Sequence, residues 1–379
     1  MRYIRFLKTP RIVHEKNSPK THISCLITIT SDLGDSFLPQ DITLSAELLH
    51  VGKHGHQEDV VLWKSVTWTS GMRVLPITLP LSKSHNAWPL RVRIGVAPKS
   101  EYDNFGELVE ERGWRGVVSA WSGLVDVTQG VEVAENFVKR RFDVGVEGAL
   151  EIFEETGESI ARHLWDAGIT LACHIKSILS ENEMFAIKDG SRSFRVVELG
   201  TGCGIVGLTI AKTVPNSKVI LTDLAEAREI VERNISLSQS SPRGSVEFKE
   251  LDWEKDIPEL FSNKSTSCAR CKQVDLVVAA DCTYNADSSP SLVNTIEKIA
   301  RTSSSTTIMI AMKKRHSSEN VFFDLMAATN FRNTRTCTYQ LPGDEQTGEE
   351  TVEVYFYRYG GAEIAGVEWS EDCECMSTR

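Results

Sequence analysis

The stretch Phe194-Arg-Val-Val-Glu-Leu-Gly-Thr-Gly-Cys-Gly-Ile-Val-Gly207 decides how this chain is read. A short apolar run, Phe194 to Leu199, ends on alternating Gly200, Gly202 and Gly204, and a helix pattern opens at Ile205. Strand, glycine loop and helix together bring bare backbone N–H groups and a helix N-terminus against a ligand. Glycine is required where a side chain would block close approach or where the turn needs a positive φ. The glycines alone leave the ligand open, because Gly202-Cys203-Gly204-Ile205-Val206-Gly207 also fits the dinucleotide fingerprint.

Three acids placed after successive apolar runs narrow the choice. Glu198 lies two residues before the first glycine, where it can receive a ligand's ammonium or order the loop. Asp223 follows the run Lys218–Leu221 and suits a ribose diol. Asp252-Trp253 follows Val246–Leu251 and offers an acceptor for an exocyclic amine beside an aromatic wall for a purine. A fourth, nearly unbroken run, Val274–Ala280, reads as a central parallel strand and ends on Asp281-Cys-Thr-Tyr284. Ligands of open α/β sheets bind outside the carboxyl ends of strands, so this tetrapeptide belongs to the active-site edge.

This ordered set resembles the class I S-adenosylmethionine-dependent methyltransferases. The acid three residues before a tyrosine after strand four resembles the D-x-x-Y signature of the methyltransferase 16 family of protein lysine methyltransferases. Leu164-Trp-Asp-Ala-Gly-Ile-Thr-Leu-Ala172 looks like that family's tryptophan-bearing helix. The resemblance covers roughly residues 140–360. It implies a Rossmann-like α/β fold with a seven-stranded methyltransferase sheet, and S-adenosyl-L-methionine as cofactor. Trp165, Glu198, Gly200, Gly202, Gly204, Asp223, Asp252, Trp253 and Ala280 are the implied cofactor set, with Asp281 and Tyr284 as catalytic residues. The implied reaction is methyl transfer to a lysine ε-amine of a protein, with chaperones or translation factors as candidate targets. Methyl transfer to an amine is an in-line displacement in which orientation supplies most of the acceleration. A carboxylate can hold the ammonium and a tyrosine ring can wall the channel, so no histidine is nominated. The remaining readings are a methyltransferase for small molecules or nucleic acid, a nicotinamide dehydrogenase, and a non-catalytic cofactor-binding scaffold.

Composition sets bounds. With 379 residues the chain has room for two domains. A formal net charge of −10 argues against a nucleic-acid-binding surface, which needs clustered Lys and Arg. No apolar run approaches membrane-spanning length. The basic start, Met1 to Lys8, reads as an ordinary strand rather than a presequence. Nine scattered cysteines form no disulfide framework and suit a reducing cytoplasm or nucleus. The lone Cys268-Ala-Arg-Cys271 pair and the tail residues Cys373 and Cys375 read as free thiols, and no metal site is expected. A monomer is expected.

The organisation divides into an N-terminal β-rich domain (1–135), a methyltransferase domain (136–362) and an acidic mobile tail (363–379). Ile42–Leu49, Val60–Trp68, Val74–Leu79 and Leu90–Val96 alternate or are β-branched, as in a small sandwich not needed for cofactor binding. Trp63 and Trp68 read as core residues. Residues 137–156 look like a hairpin, and Thr156–Leu179 like a helix capped by Thr156 or Ser159. From Phe194 strands and helices alternate, which implies a parallel sheet. Thr334–Leu341 and Val352–Tyr359, with no helix between them, should form an antiparallel edge hairpin.

Overall fold

The structure, a computed structural model, describes residues 1–16, 18, 20–52, 58–81, 87–110, 116–155, 162–181, 193–238, 243–256, 273–302, 305–341 and 351–360. The Cys268/Cys271 pair and the 363–379 tail lie outside the described residues.

The first part of the chain is built from strands β1 (Arg2–His14), β2 (Thr21–Thr30), β3 (Ile42–Val51), β4 (Glu58–Trp68), β5 (Leu75–Leu81), β6 (Leu90–Gly95) and β7 (Asp103–Asn104). A one-turn helix α1 (Phe105–Leu108) and strands β8 (Val117–Val118), β9 (Ala120–Val125), β10 (Phe137–Asp143) and β11 (Leu150–Glu155) follow. They make two sheets, β5-β2-β1-β8 and β11-β10-β9-β6-β3-β4, with β7 paired to β10. Ile4, Phe6, Ile23 and Ile27 from one sheet meet Leu44, Ala46, Leu48, Val92 and Ile94 from the other in a single buried cluster, so the arrangement is a sandwich. Of the two tryptophans expected in the core, Trp68 is fully buried and its Nε1 donates to Leu38 O at 2.9 Å. Trp63 is instead 45% exposed, because residues five apart on a strand point to opposite faces.

Strands β12 (Phe194–Leu199), β13 (Ser217–Asp223), β14 (Ser245–Glu250), β15 (Leu276–Ala280), β16 (Thr307–Met312), β17 (Phe331–Gln340) and β18 (Thr351–Tyr359) form the seven-stranded sheet, in the order β14-β13-β12-β15-β16-β18-β17. The first five strands run parallel, and the edge hairpin of β17 and β18 is antiparallel. Helices α2 (Asp166–Glu181), α3 (Ile205–Thr213) and α4 (Arg228–Ser238) cover one face, and α5 (Ser289–Thr302) and α6 (Asn320–Ala328) the other. Alternate strand residues divide accordingly. Val196, Leu221 and Val278 pack with Ile175, Val206 and Ile230, whereas Val197, Ile220 and Val277 pack with Leu292, Ile296 and Phe322. Burial on both faces is why these strands read as apolar runs rather than as alternation.

The helix expected from Thr156 begins at Asp166; residues 156–161 lie outside the described set. Tertiary contacts set this start. Leu164 N donates to Glu154 Oε2 (3.0 Å), Asp166 N to Asp32 Oδ2 (3.3 Å) and Ala167 N to Asp281 Oδ2 (3.1 Å). Remote carboxylates thus satisfy N–H groups that a helix start leaves orphaned.

The hairpin of β10 and β11 extends the N-terminal sheet through the pairing of Lys139 with Trp121. Its other side meets the Rossmann-like half. Asn234 of α4 accepts from Phe153 N (2.7 Å) and donates to Phe153 O (3.0 Å) and to Cys203 O (2.9 Å) in the glycine loop. Met1, Tyr3, Phe105, Val118, Phe142 and Ile152 belong to the same buried cluster as Ile175 and Val196, so one core runs through both halves.

Candidate active site

At the carboxyl ends of β12, β13 and β15 lies a cleft of about 310 Å³. Strand β12 pairs with β13 on one side and β15 on the other, which makes this the switch point where an open α/β sheet binds ligands. Nine of the eleven residues singled out from the sequence line the cleft: Trp165, Gly200, Gly202, Asp223, Asp252, Trp253, Ala280, Asp281 and Tyr284. Glu198 and Gly204 are the two that do not.

Glu198 is buried, and its Oε2 accepts from Gly207 N at 2.9 Å, in the first turn of α3. Of the two roles open to it, ordering the loop is the one its contacts serve. Burial raises its pKa to about 8, against the opposing pull of the Gly207 N–H. Gly207 allows α3 to lie this close: a Cβ there would stand 2.3 Å from Leu221 Cδ2 and 2.5 Å from Glu198 Oε2. Gly204 has φ +84° and caps α3, beneath the cleft. Gly200, at φ +61°, is on the cleft wall, where a Cβ would come within 2.6 Å of Cys282 Sγ and 3.3 Å of Trp253 Cζ2.

Asp223 uses both oxygens on its own turn. Oδ2 accepts from Gly202 N and Oδ1 from Leu224 N, each at 2.8 Å. Burial pushes its pKa up. Asp252 Oδ1 accepts from Glu254 N at 3.0 Å, and this contact, with the Lys255 ion pair, lowers its pKa. Trp253 Nε1 is buried with no acceptor among the described residues, a donor left available beside the glycine loop. The residues therefore suit a nucleoside-bearing cofactor. Carboxylate, aromatic wall and orphan donor surround a backbone cradle that side chains would fill.

Asp281 also lines the cleft. Its backbone is left-handed (φ +55°), an uncommon conformation that Asp tolerates better than most residues. The carboxylate is buried and heavily engaged. Oδ1 accepts from Lys313 N (3.2 Å) and Arg315 Nη1 (2.9 Å), and Oδ2 from Ala167 N (3.1 Å) and Arg315 Nη2 (3.3 Å). Burial raises its pKa and Arg315 opposes that rise. The expected open carboxylate is thus a shared one. Tyr284 is 56% exposed at the rim, and Arg315 lies 5.7 Å from the Trp165 ring.

Arg315 and Asp32 were not singled out from the sequence. The only local signal for Arg315 is the basic run Lys313-Lys-Arg315 directly after an apolar strand, and for Asp32 there is none. Among the described residues no cluster of potential metal ligands is present, and no helix is long and apolar enough to cross a membrane.

Residues 146–329 match the lysine methyltransferase family. A UPF0665 family protein of Schizosaccharomyces pombe is 28% identical over 323 residues, covering 84% of this chain and 91% of that protein. Protein-lysine N-methyltransferase EFM6 of Saccharomyces cerevisiae is 31% identical over 183 residues, covering 46% of this chain and 73% of that protein. EEF1A lysine methyltransferase 3 of Xenopus tropicalis is 27% identical over 167 residues, covering 44% of this chain and 65% of that protein. With the seven-stranded sheet and its glycine-loop cleft, these matches establish that the chain belongs to the lysine methyltransferase family and is an S-adenosylmethionine-dependent N-methyltransferase.

Proposed function

We propose that this enzyme methylates a lysine ε-amine of a folded protein, with Asp281 and Tyr284 acting on the amine and the remaining cleft residues holding the cofactor. The observation that carries the reading is the cleft itself, which the glycine loop, Asp223 and Trp253 line together with Asp281 and Tyr284. The protein-lysine methyltransferases among its relatives support a protein substrate, and the one named for EEF1A favours a translation factor over a chaperone. The net charge of −10 suits a basic substrate surface rather than nucleic acid. The five described cysteines are all free, in keeping with the cytoplasm or nucleus, and we take the enzyme to act as a monomer. In this reading residues 136–362 carry the cofactor cleft and residues 1–135 the β module, whose sheet the hairpin of β10 and β11 extends.

In that cleft S-adenosylmethionine supplies an electrophilic methyl group, whose transfer to nitrogen leaves a neutral thioether. The protein's residues must present an uncharged, aligned amine. In this reading Asp281 Oδ2, which holds Arg315 Nη2 only at 3.3 Å, accepts from the arriving ammonium and orients it while its proton passes to water. The exposed Tyr284 ring walls the entrance and offers its face to the cation. Trp165, its ring 5.7 Å from the Arg315 guanidinium, adds an aromatic wall to the cleft.

Incubation of the enzyme with methyl-labelled S-adenosylmethionine and a cell extract tests the assignment. A labelled protein band whose digest yields methyllysine is expected. Label confined to small molecules or nucleic acid refutes it.

A further inference from the structure

The loop after β2 reaches from the sandwich into the wall of the cleft. It is stitched internally, with Ser31 Oγ donating to Asp35 Oδ1 (2.6 Å) and Leu33 N to Asp32 Oδ1 (2.9 Å). Arg5 Nη2 of β1 donates to Asp32 O at 2.7 Å and pins the loop to its own module. The Asp32 side chain is wholly buried, and its contacts beyond the loop all lie in the Rossmann-like half. Oδ2 accepts from Arg315 Nη2 at 2.6 Å and from Asp166 N at 3.3 Å; Oδ1 lies 3.5 Å from Lys313 Nζ. Lys313 Nζ in turn donates to Asp166 Oδ2 at 2.8 Å.

The division of the Arg315 fork is informative. Nη1 bonds Asp281 at 2.9 Å, but Nη2 lies 2.6 Å from Asp32 and 3.3 Å from Asp281. A guanidinium facing a lone carboxylate engages both oxygens through two parallel bonds. Here the second arm is shared, with its shorter bond to Asp32 Oδ2 and its longer one to Asp281 Oδ2. We propose that Asp32, delivered by the β module, is a positioning residue for methyl transfer: it takes the shorter bond of one Arg315 arm, so that this arm's bond to Asp281 Oδ2 is the long one and yields to the incoming lysine. This rests on the reading of Asp281 as the amine-binding carboxylate. It also makes the β module part of the active site, since no other described residue lies within hydrogen-bonding reach of that arm except Asp281.

A simple clamp between modules would use the same contacts, so the test must read more than stability. The groups facing Asp281 are Arg315 and the Lys313 N–H after β16, the Ala167 N–H of α2, and Asp32 of the sandwich loop, with Lys313 Nζ and Asp166 next to them. Burial raises the Asp281 pKa, Arg315 lowers it and the Asp32 charge raises it. Losing Asp32 removes a neighbouring negative charge and frees Arg315 to pair fully with Asp281. Both changes favour the ionised carboxylate.

The experiment uses full-length Asp32→Asn, which keeps the shape and loses the charge. Rates are read on the labelled band of the extract, over extract dilutions and from pH 5 to 9, with S-adenosylhomocysteine affinity measured by calorimetry. The expected result is cofactor affinity within about twofold, a maximal rate lowered about tenfold or more, and an acid limb of the pH–rate profile displaced to lower pH. Unchanged maximal rate and acid limb in folded Asp32→Asn, with Asp281→Asn inactive, would overturn the proposal and leave Asp32 a clamp. Full activity of Asp281→Asn would instead refute the reading of Asp281 itself. If Asp32→Asn does not fold, Arg315→Lys serves, because an ammonium lacks the planar fork. Retained cofactor affinity with a lowered rate is then expected, and a full rate overturns the bridge.

Discussion

Gly200→Ala should destabilise the enzyme through two separable effects, and a second substitution should remove only one of them. The backbone at Gly200 is left-handed at φ +61°, and an L side chain there costs about 1–2 kcal/mol. The new methyl would also stand 2.6 Å from Cys282 Sγ and 3.3 Å from Trp253 Cζ2, and overpacking of that kind costs about 1–3 kcal/mol. The single variant should therefore lose about 2–5 kcal/mol in urea unfolding. Cys282→Ala alone removes a buried sulfur whose thiol donates to Leu199 O at 3.3 Å, for a loss on the order of 1 kcal/mol. In the double variant the clash with the sulfur disappears, while the backbone strain, the 3.3 Å contact with Trp253 and the loss from Cys282→Ala remain. Its loss should fall short of the sum of the singles by about 1–3 kcal/mol, the signature of residues in contact. S-adenosylhomocysteine affinity, measured by calorimetry, should recover in part because the loop no longer has to shift away from the Cys282 sulfur. Additivity within about 0.5 kcal/mol would refute the reasoning, since it would mean that the glycine is needed for its φ alone.

Three further outcomes are expected. Glu198→Gln should flatten the fall in stability between about pH 4.5 and 8: the folded pKa of about 8 stands above the unfolded value of 4.5, so the native enzyme loses stability as pH rises between them. At about 1.4 kcal/mol per unit, thermal melting at pH 9 should favour the variant, and a variant less stable than the parent at that pH would contradict the assignment. Trp253→Phe removes a buried donor that has no acceptor among the described residues, so the free enzyme should keep its stability. Cofactor affinity should fall about two- to tenfold, as for one hydrogen bond of about 0.5–1.5 kcal/mol, and unchanged affinity in calorimetry would argue that the donor is not used. A chain starting near residue 135 loses Met1, Tyr3, Phe105 and Val118 from the shared core and strand β9 from the flank of the hairpin, so it should be insoluble; a soluble, cofactor-binding fragment would show the module to be separable.

Much of the catalytic half was legible because its signals are local. Strands buried on both faces leave unbroken apolar runs, the loop geometry demands glycine, and an acid at a strand end needs no distant partner to be seen. Hence β12 to β15, β17 and β18 fall close to their expected bounds, and nine named residues meet in one cleft. Glu198 shows the limit of such reading: its position was visible, but whether it faces ligand or loop depended on how closely Gly207 lets α3 approach.

The sequence by itself determined the fold class and brought the glycine loop, the strand-end acids and the Asp281/Tyr284 motif to one sheet edge, since each rests on neighbours within a few residues. Only the tertiary structure decided where α2 starts, because its first N–H groups are satisfied by Asp32 and Asp281, 134 and 114 residues away. It alone decided that Trp63 faces solvent, that the hairpin of β10 and β11 joins the sandwich, and that Arg315 forks between two carboxylates from different halves of the molecule. Burying a charge is costly unless a partner is brought to it. That partner is chosen by the folded surface rather than by spacing along the chain, so such pairs leave no pattern for a sequence reader to find.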